Sequence, residues 1–219
     1  MMPKRSEWWL TPIWELQTDF TPEFHEQLLD EIYSIAKNIS TGIDKDPKDS
    51  LWNYDTPHLS TLKEKILQIA SDTVLKQIQE AQELNLKLEY SMGWVNVIGK
   101  GEGIEAHSHN DCSLVATYYI KAPENCGDLV LLNTKNIIDN NGNFLYTGKS
   151  ELEHIHIKPV EGKLILFPAY TMHEVQANQS NELRISLSTD IKQIVDRTAP
   201  NAMVLKSWCN SFLRIRENV

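Results

Sequence analysis

A chain of 219 residues, 41% of them hydrophobic, is long enough for one well-packed core, and no second compositional regime calls for another domain. The formal charge of −9, from 30 acidic against 21 basic residues, excludes a broad nucleic-acid or anionic-membrane surface, since both need a clustered excess of Lys and Arg. A small-molecule or protein substrate is expected instead, with no nucleic-acid or membrane partner, and the composition is compatible with a homodimer. Cys112, Cys126 and Cys209 are an odd, irregularly spaced set with neither a zinc-type pair nor a disulfide framework, which fits reduced thiols. The basic start Met1-Met-Pro-Lys-Arg5 leads into no uninterrupted apolar run, and no later stretch reaches membrane-span length. The expectation is a soluble, cytoplasmic protein.

The first helix is signalled at Thr21-Pro22-Glu23: Thr caps, Pro brings a preset φ to the first helical position, and Glu favours the positive end of the dipole. Phe24, Leu28, Ile32 and Ile35 then recur at helical spacing, an apolar stripe that predicts a helix laid on a sheet. A second helix is predicted over about Ser60–Leu84, with Leu62, Ile66, Ile69, Ala70, Val74 and Ile78 on one side. From Tyr90 to Ile98 the period becomes strand-like and ends in the Gly99, Gly101, Gly103 cluster. Further short strands are predicted at Ser113–Ile120, Leu129–Leu132, Phe144–Tyr146, Leu152–Ile157, Leu164–Phe167, Glu174–Gln176 and Arg184–Thr189, with turn chemistry such as Asn141-Gly142 between them. Gln193–Val219 is predicted as a terminal helix. Many short strands without intervening helices imply a closed or sandwich-like antiparallel sheet. The expected fold is mainly β with N-terminal helices, a double-stranded β-helix (jelly roll, cupin-like). Residues 1–219 would form a single domain, with helical support over about 1–86, a β-helix catalytic core over about 87–192 and a C-terminal extension over about 193–219.

Chemistry concentrates in His107-Ser-His109-Asn-Asp111, followed by Gly162-Lys-Leu-Ile-Leu-Phe-Pro-Ala-Tyr-Thr-Met-His173 and then Arg184-Ile-Ser186. Residues two apart share one face of an extended strand, so His107 with His109, or His109 with Asp111, could reach one metal that His173 completes. Three ligands on one side leave positions open for substrate and O₂, the layout of a non-haem Fe(II) oxygenase. An isolated His-x-His is more simply a polar strand end. His154-Ile-His156, on a Glu- and Lys-flanked strand, is read that way. The first pair differs in its company: a Gly-rich approach, a Tyr-Tyr strand, and an apolar strand through Phe167-Pro168 that brings His173 to a strand end. Arg184 lies in an apolar alternating strand, where an inward guanidinium needs an anion and its planar fork suits a carboxylate, with the Ser186 hydroxyl on the same face. A structural salt bridge is the simpler alternative.

With these motifs the chain resembles the 2-oxoglutarate/Fe(II)-dependent oxygenase superfamily, and more narrowly a branch common in marine bacteria and phages. The shared pattern is Trp94-Val-Asn96, His107-Ser-His109, Tyr118-Tyr119, Phe167-Pro168 before His173, and Arg184-Ile-Ser186-Leu-Ser188; Trp9-Leu-Thr-Pro12-Ile13 is similar to the branch's opening motif. The resemblance covers most of residues 9–190. It implies that His107, His109 and His173 face the metal. The chain departs from the wider superfamily's His-x-Asp unless the register moves to His109 and Asp111, and it reads Val115-Ala116-Thr117 where the branch has Ser-Gly before its Tyr-Tyr strand.

The implied activity is that of a dioxygenase using Fe(II), O₂ and 2-oxoglutarate as cosubstrate: oxidative decarboxylation to succinate coupled to hydroxylation of an unactivated C–H bond in an unknown primary substrate. Arg184, Ser186 and one tyrosine, Tyr119 in preference to Tyr118, would hold the distal carboxylate, with Asn96 also among the cosubstrate-binding residues. The alternatives are a cupin-like metal enzyme without 2-oxoglutarate and a noncatalytic β-helix binding protein.

Overall fold

The computed structural model describes residues 11–38, 50–77, 86–132 and 154–195. Phe144–Tyr146, the Asn141-Gly142 turn, residues 78–84 of the second predicted helix and the terminal segment beyond 195 lie outside these residues. Among the described residues no helix is long and apolar enough to cross a membrane.

Helix α1 (Pro22–Asn38) starts where its cap signals, with the Thr21 hydroxyl accepting the Phe24 amide at 3.3 Å. Its buried stripe is His25, Leu28, Ile32 and Ile35, while Phe24 is only partly buried and stacks on Phe20. Helix α2 (Pro57–Ala70) begins three residues ahead of the expected Ser60 because Pro57 takes the first helical position. Thr56 makes no side-chain cap; the Glu31 carboxylate of α1 instead accepts the His58 and Leu59 amides at 3.0–3.1 Å and the Thr56 hydroxyl at 2.6 Å. A negative charge thus sits on the positive end of α2 and ties the two helices together. The helix continues as a π-helical turn over Ser71–Leu75.

The strands are β1 (Trp14–Gln17), β2 (Leu86–Ile98), β3 (Ile104–His107), β4 (Leu114–Lys121), β5 (Leu129–Leu131), β6 (Ile155–Ile157), β7 (Lys163–Pro168), β8 (His173–Val175) and β9 (Arg184–Val195). They form two antiparallel sheets, β1-β7-β4-β9-β2 and β3-β8-β5-β6, the two-sheet arrangement of a double-stranded β-helix. Strands β1 and β3 were not expected. Strand β9 outruns its predicted end at Thr189 and occupies Gln193–Val195, where a helix was expected. Charged Asp190 and Lys192 hide the alternation, but the partner strand β2 is long enough to pair Leu86 with Val195.

Alternation sorts the large sheet's side chains. Leu114, Ala116, Tyr118, Leu164, Leu166, Ile185, Leu187 and Ile191 pack on one side with Leu28, Leu59, Leu62 and Ile66 of the helices. Val115, Tyr119, Ile165 and Phe167 face the other way, toward Leu129, Leu131, Ile157 and Val175 of the small sheet. The helices therefore support the outer face of the large sheet, and the space between sheets is left for chemistry.

Candidate metal centre

Strand pairing assembles the histidines. Strands β3 and β8 run antiparallel with His107 directly opposite His173, and the His109 amide is anchored to the Ala169 carbonyl at 3.0 Å. Ring centroids lie 4.3 Å apart for His107 and His173, and 5.2 Å apart for each of the other two pairs. Their ligating atoms fall within 4.8 Å of one another, close enough to hold one metal ion.

Each ring has one nitrogen engaged. Nδ1 of His107 donates to the Glu105 carbonyl at 2.8 Å and Nδ1 of His173 to the Thr171 carbonyl at 2.9 Å, which places the ring lone pair of both on Nε2. Nδ1 of His109 lies 2.7 Å from Oδ1 of Asp190. Trp94 stacks on the His109 ring at 5.6 Å and 19°. His173 is 5% exposed, and burial pushes its imidazole down to about 4, with the neighbouring His107 and His109 adding to the shift and the Thr171 carbonyl opposing it. It is neutral near pH 7, as a ligand must be.

Asp111 is exposed, has a φ of 60° and is outside the group of side chains that could hold a metal. The His109/Asp111 register is therefore not the one the fold brings together: the chain turns after His109 and carries the carboxylate outward. His154 and His156 are both exposed and likewise outside any metal-holding group among the described residues.

From the histidines a polar row runs along β9. Arg184, Ser186, Ser188 and Asp190 alternate onto the face between the sheets, opposite Tyr119 and Thr117 of β4 and Asn96 and Trp94 of β2. Asn96 Nδ2 donates to the Ser188 hydroxyl at 3.0 Å, and Thr117 and Ser188 are joined at 3.3 Å. Trp94, Asn96, Thr117, Arg184, Ser186 and Ser188 line a cavity of about 220 Å³ together with the three histidines. At its far end Arg184 is 1% exposed, and its Nε and Nη1 have no hydrogen-bond partner among the described residues. The guanidinium lies 5.2 Å from the Tyr119 ring centre. The Tyr119 hydroxyl is also buried, with no well-aligned hydrogen bond among the described residues; burial raises its pKa, and the charge and proximity of Arg184 act in the opposite sense. A buried cation with unmet donors is costly alone and fits a carboxylate that accepts from both nitrogens.

Tyr118, one of the cosubstrate-binding candidates, faces the helices. Its hydroxyl bonds His25 Nε2 at 2.6 Å and Thr18 Oγ1 at 3.2 Å, on the side of the sheet opposite the cavity. Consecutive residues of a strand cannot share a face, and burial of Tyr119 between the sheets sends Tyr118 outward. Sequence reasoning gave no role to Asp190, Thr117 or Ser188. The two-residue period Arg184, Ser186, Ser188, Asp190 was the available signal. Cys112 is part of a second group with His109 and Asp190, and burial, reinforced by the Asp190 charge, pushes its thiol up to about 12.

Residues 92–190 match the family profile described as "Putative 2OG-Fe(II) oxygenase". The matched residues include every side chain that lines the cavity, from Trp94 to Ser188. No curated protein matches the chain. Among solved structures, AviO1 from Streptomyces viridochromogenes Tue57 is similar at a TM-score of 0.56 and 9% identity, over 87% of this chain and 92% of that one. The non-heme alpha ketoglutarate dependent carbocyclase SnoK from nogalamycin biosynthesis is similar at 0.52 and 10% identity, over 83% and 79%. These two likenesses are of fold. A 2OG-Fe(II) oxygenase family oxidoreductase from Burkholderia pseudomallei aligns at 0.42 and 17% identity over 64% of this chain, which spans 60% of that protein's length.

Proposed function

We propose that this chain is an Fe(II)- and 2-oxoglutarate-dependent dioxygenase that hydroxylates an as yet unidentified substrate. The observation that carries this reading is Arg184, a buried guanidinium whose Nε and Nη1 have no hydrogen-bond partner among the described residues, at the end of a polar row that begins at three convergent imidazoles. His107, His109 and His173 would hold the iron through Nε2. Arg184 would take the distal carboxylate of 2-oxoglutarate, with the Tyr119 hydroxyl and the Ser186 side chain beside it, and Asn96, fixed by Ser188, would border the cosubstrate along the row. Bound together, Fe(II), 2-oxoglutarate and O₂ supply the oxidant for C–H hydroxylation, with succinate and CO₂ as products.

The chain's own part is placement. Two rings held by backbone carbonyls keep their Nε2 atoms aimed at one point, so little reorganisation accompanies metal binding. Val115, Leu129 and Val175 form an apolar wall of the cavity between the histidines and Arg184, a low-polarity surrounding in which charge pairing is stronger. A cosubstrate anchored at both ends leaves the open side of the metal for the primary substrate.

Anaerobic titration with Fe(II) and then 2-oxoglutarate should develop the metal-to-ligand charge-transfer band of the bound pair, and O₂ should then yield succinate even without substrate. Arg184→Lys keeps the charge but loses the fork; it should weaken 2-oxoglutarate binding by about 1.5–3 kcal/mol and leave Fe(II) affinity nearly unchanged. Iron binding with no such band and no succinate would move the assignment to a metal enzyme that does not use 2-oxoglutarate. Absence of metal binding would favour a noncatalytic binding protein.

A further inference from the structure

We propose that Asp190 is a positioning residue for the metal, holding the Nδ1 side of His109 and supplying, one residue away from the ion, the negative charge that an all-histidine ligand set lacks. This rests on the metal reading above. A facial set of two histidines and one carboxylate leaves a bound Fe(II) with one unit less positive charge than three neutral imidazoles do. Asp190 lies where it can offset that difference. Its Oδ1 is 2.7 Å from His109 Nδ1, and its side chain is 16% exposed.

The three rings are not treated alike. Nδ1 of His107 and of His173 faces the backbone carbonyls of Glu105 and Thr171, which carry no net charge, whereas Nδ1 of His109 faces a carboxylate. The Asp190 Oδ1 lies off the N–H direction of the ring and makes no well-aligned hydrogen bond among the described residues, and the Cys112 thiol is the other group beside this carboxylate. Trp94 stacks on the same ring at 5.6 Å and 19°, and a small adjustment of the Asp190 side chain would bring its oxygen onto the N–H without moving the ring. Strand β9 thus serves both ends of the cavity, with Arg184 at the anion end and Asp190 at the metal end, six residues apart on one face.

The test is equilibrium dialysis of Fe(II) under anaerobic conditions, and of Co(II) as a spectroscopic probe, against the full chain and its Asp190→Asn and Asp190→Glu variants. Asn retains a hydrogen-bond acceptor but not the charge; affinity for both ions should fall about 10- to 100-fold, with a shifted Co(II) d–d spectrum. Glu retains the charge, and its affinity should lie closer to wild type than that of Asn. Wild-type affinity and spectrum in Asp190→Asn, or Glu binding no better than Asn, would overturn the charge role. Should Asp190→Asn fail to fold, the Glu variant against wild type decides, since a spectrum and affinity unaffected by moving the carboxylate would also overturn it. Two bound equivalents in wild type, with the second lost in Cys112→Ala, would make Asp190 a ligand of another ion and overturn the proposal. A wild-type chain that binds neither ion removes the metal reading itself, a result separable from any effect of the variants.

Discussion

At the scale of single residues, the cavity depends on which side chains face it and which of their atoms remain free. Ala substitution of His107, His109 or His173 removes one of three ligands, so Fe(II) affinity measured by dialysis should drop by at least an order of magnitude in each, the loss expected when a coordinate bond goes and the others distort. His154→Ala, on an exposed segment, should bind as wild type does. The two adjacent tyrosines should separate cleanly. Tyr119→Phe deletes a hydroxyl that makes no well-aligned hydrogen bond among the described residues, so the melting temperature should hold while 2-oxoglutarate affinity falls. Tyr118→Phe deletes the partner of His25 and Thr18, and should cost about 1 kcal/mol of stability with cosubstrate affinity intact. The reverse pattern in calorimetry and titration would mean that the faces are exchanged.

At the scale of elements, the link between α1 and α2 is Glu31, whose carboxylate replaces the missing side-chain cap of α2. Burial alone would raise its pKa, but the hydrogen bonds from Thr56, His58 and Leu59 together outweigh it and hold the carboxyl below its usual 4.5. A group depressed in the folded state contributes stability that is present above its unfolded pKa and is lost as pH falls through the folded value. Denaturant unfolding of wild type should therefore show a loss of stability below about pH 4.5 that is smaller in Glu31→Ala, a variant already weaker at pH 7 by about 1–2 kcal/mol, as for loss of a helix cap. An equal acid response in both would exclude Glu31 as a source. The same element pair shows why boundaries were read imperfectly. Pro57 marks the start of α2, yet its cap comes from residue 31, which no local pattern around 57 could reveal.

At the scale of the whole molecule, the helices and the site lie on opposite faces of one sheet and are coupled through it. Trp52 packs its indole over Gly93 of β2 and donates from Nε1 to the Thr189 hydroxyl at 2.7 Å, beside Asp190. A Cβ at Gly93 would come within 2.4 Å of that indole. Gly93→Ala should cost about 1–3 kcal/mol through overpacking, seen as a lower melting temperature, and should also weaken metal binding because Thr189 and Asp190 share the displaced segment of β9. Lower stability with unchanged metal affinity would show that the outer layer does not reach the site.

The sequence alone carried the facts that depend on local period and residue chemistry: two amphipathic helices, the short antiparallel strands, a metal-ligand segment at His107–Asp111 with His173 as its distant partner, and Arg184 as an inward cation. These were legible because a hydrophobic period of two or 3.6, and residue types that are costly to bury without a ligand, leave their mark within a few neighbouring positions. Tertiary structure decided what depends on which strands meet. Pairing of β3 with β8 sets His107 opposite His173 and leaves Asp111 outside, and the packing of both sheets turns Tyr119 inward and Tyr118 toward His25. Asp190 acquires its place beside His109 only because β9 continues past Thr189 along β2, a long-range pairing whose free energy lies in partners about a hundred residues away.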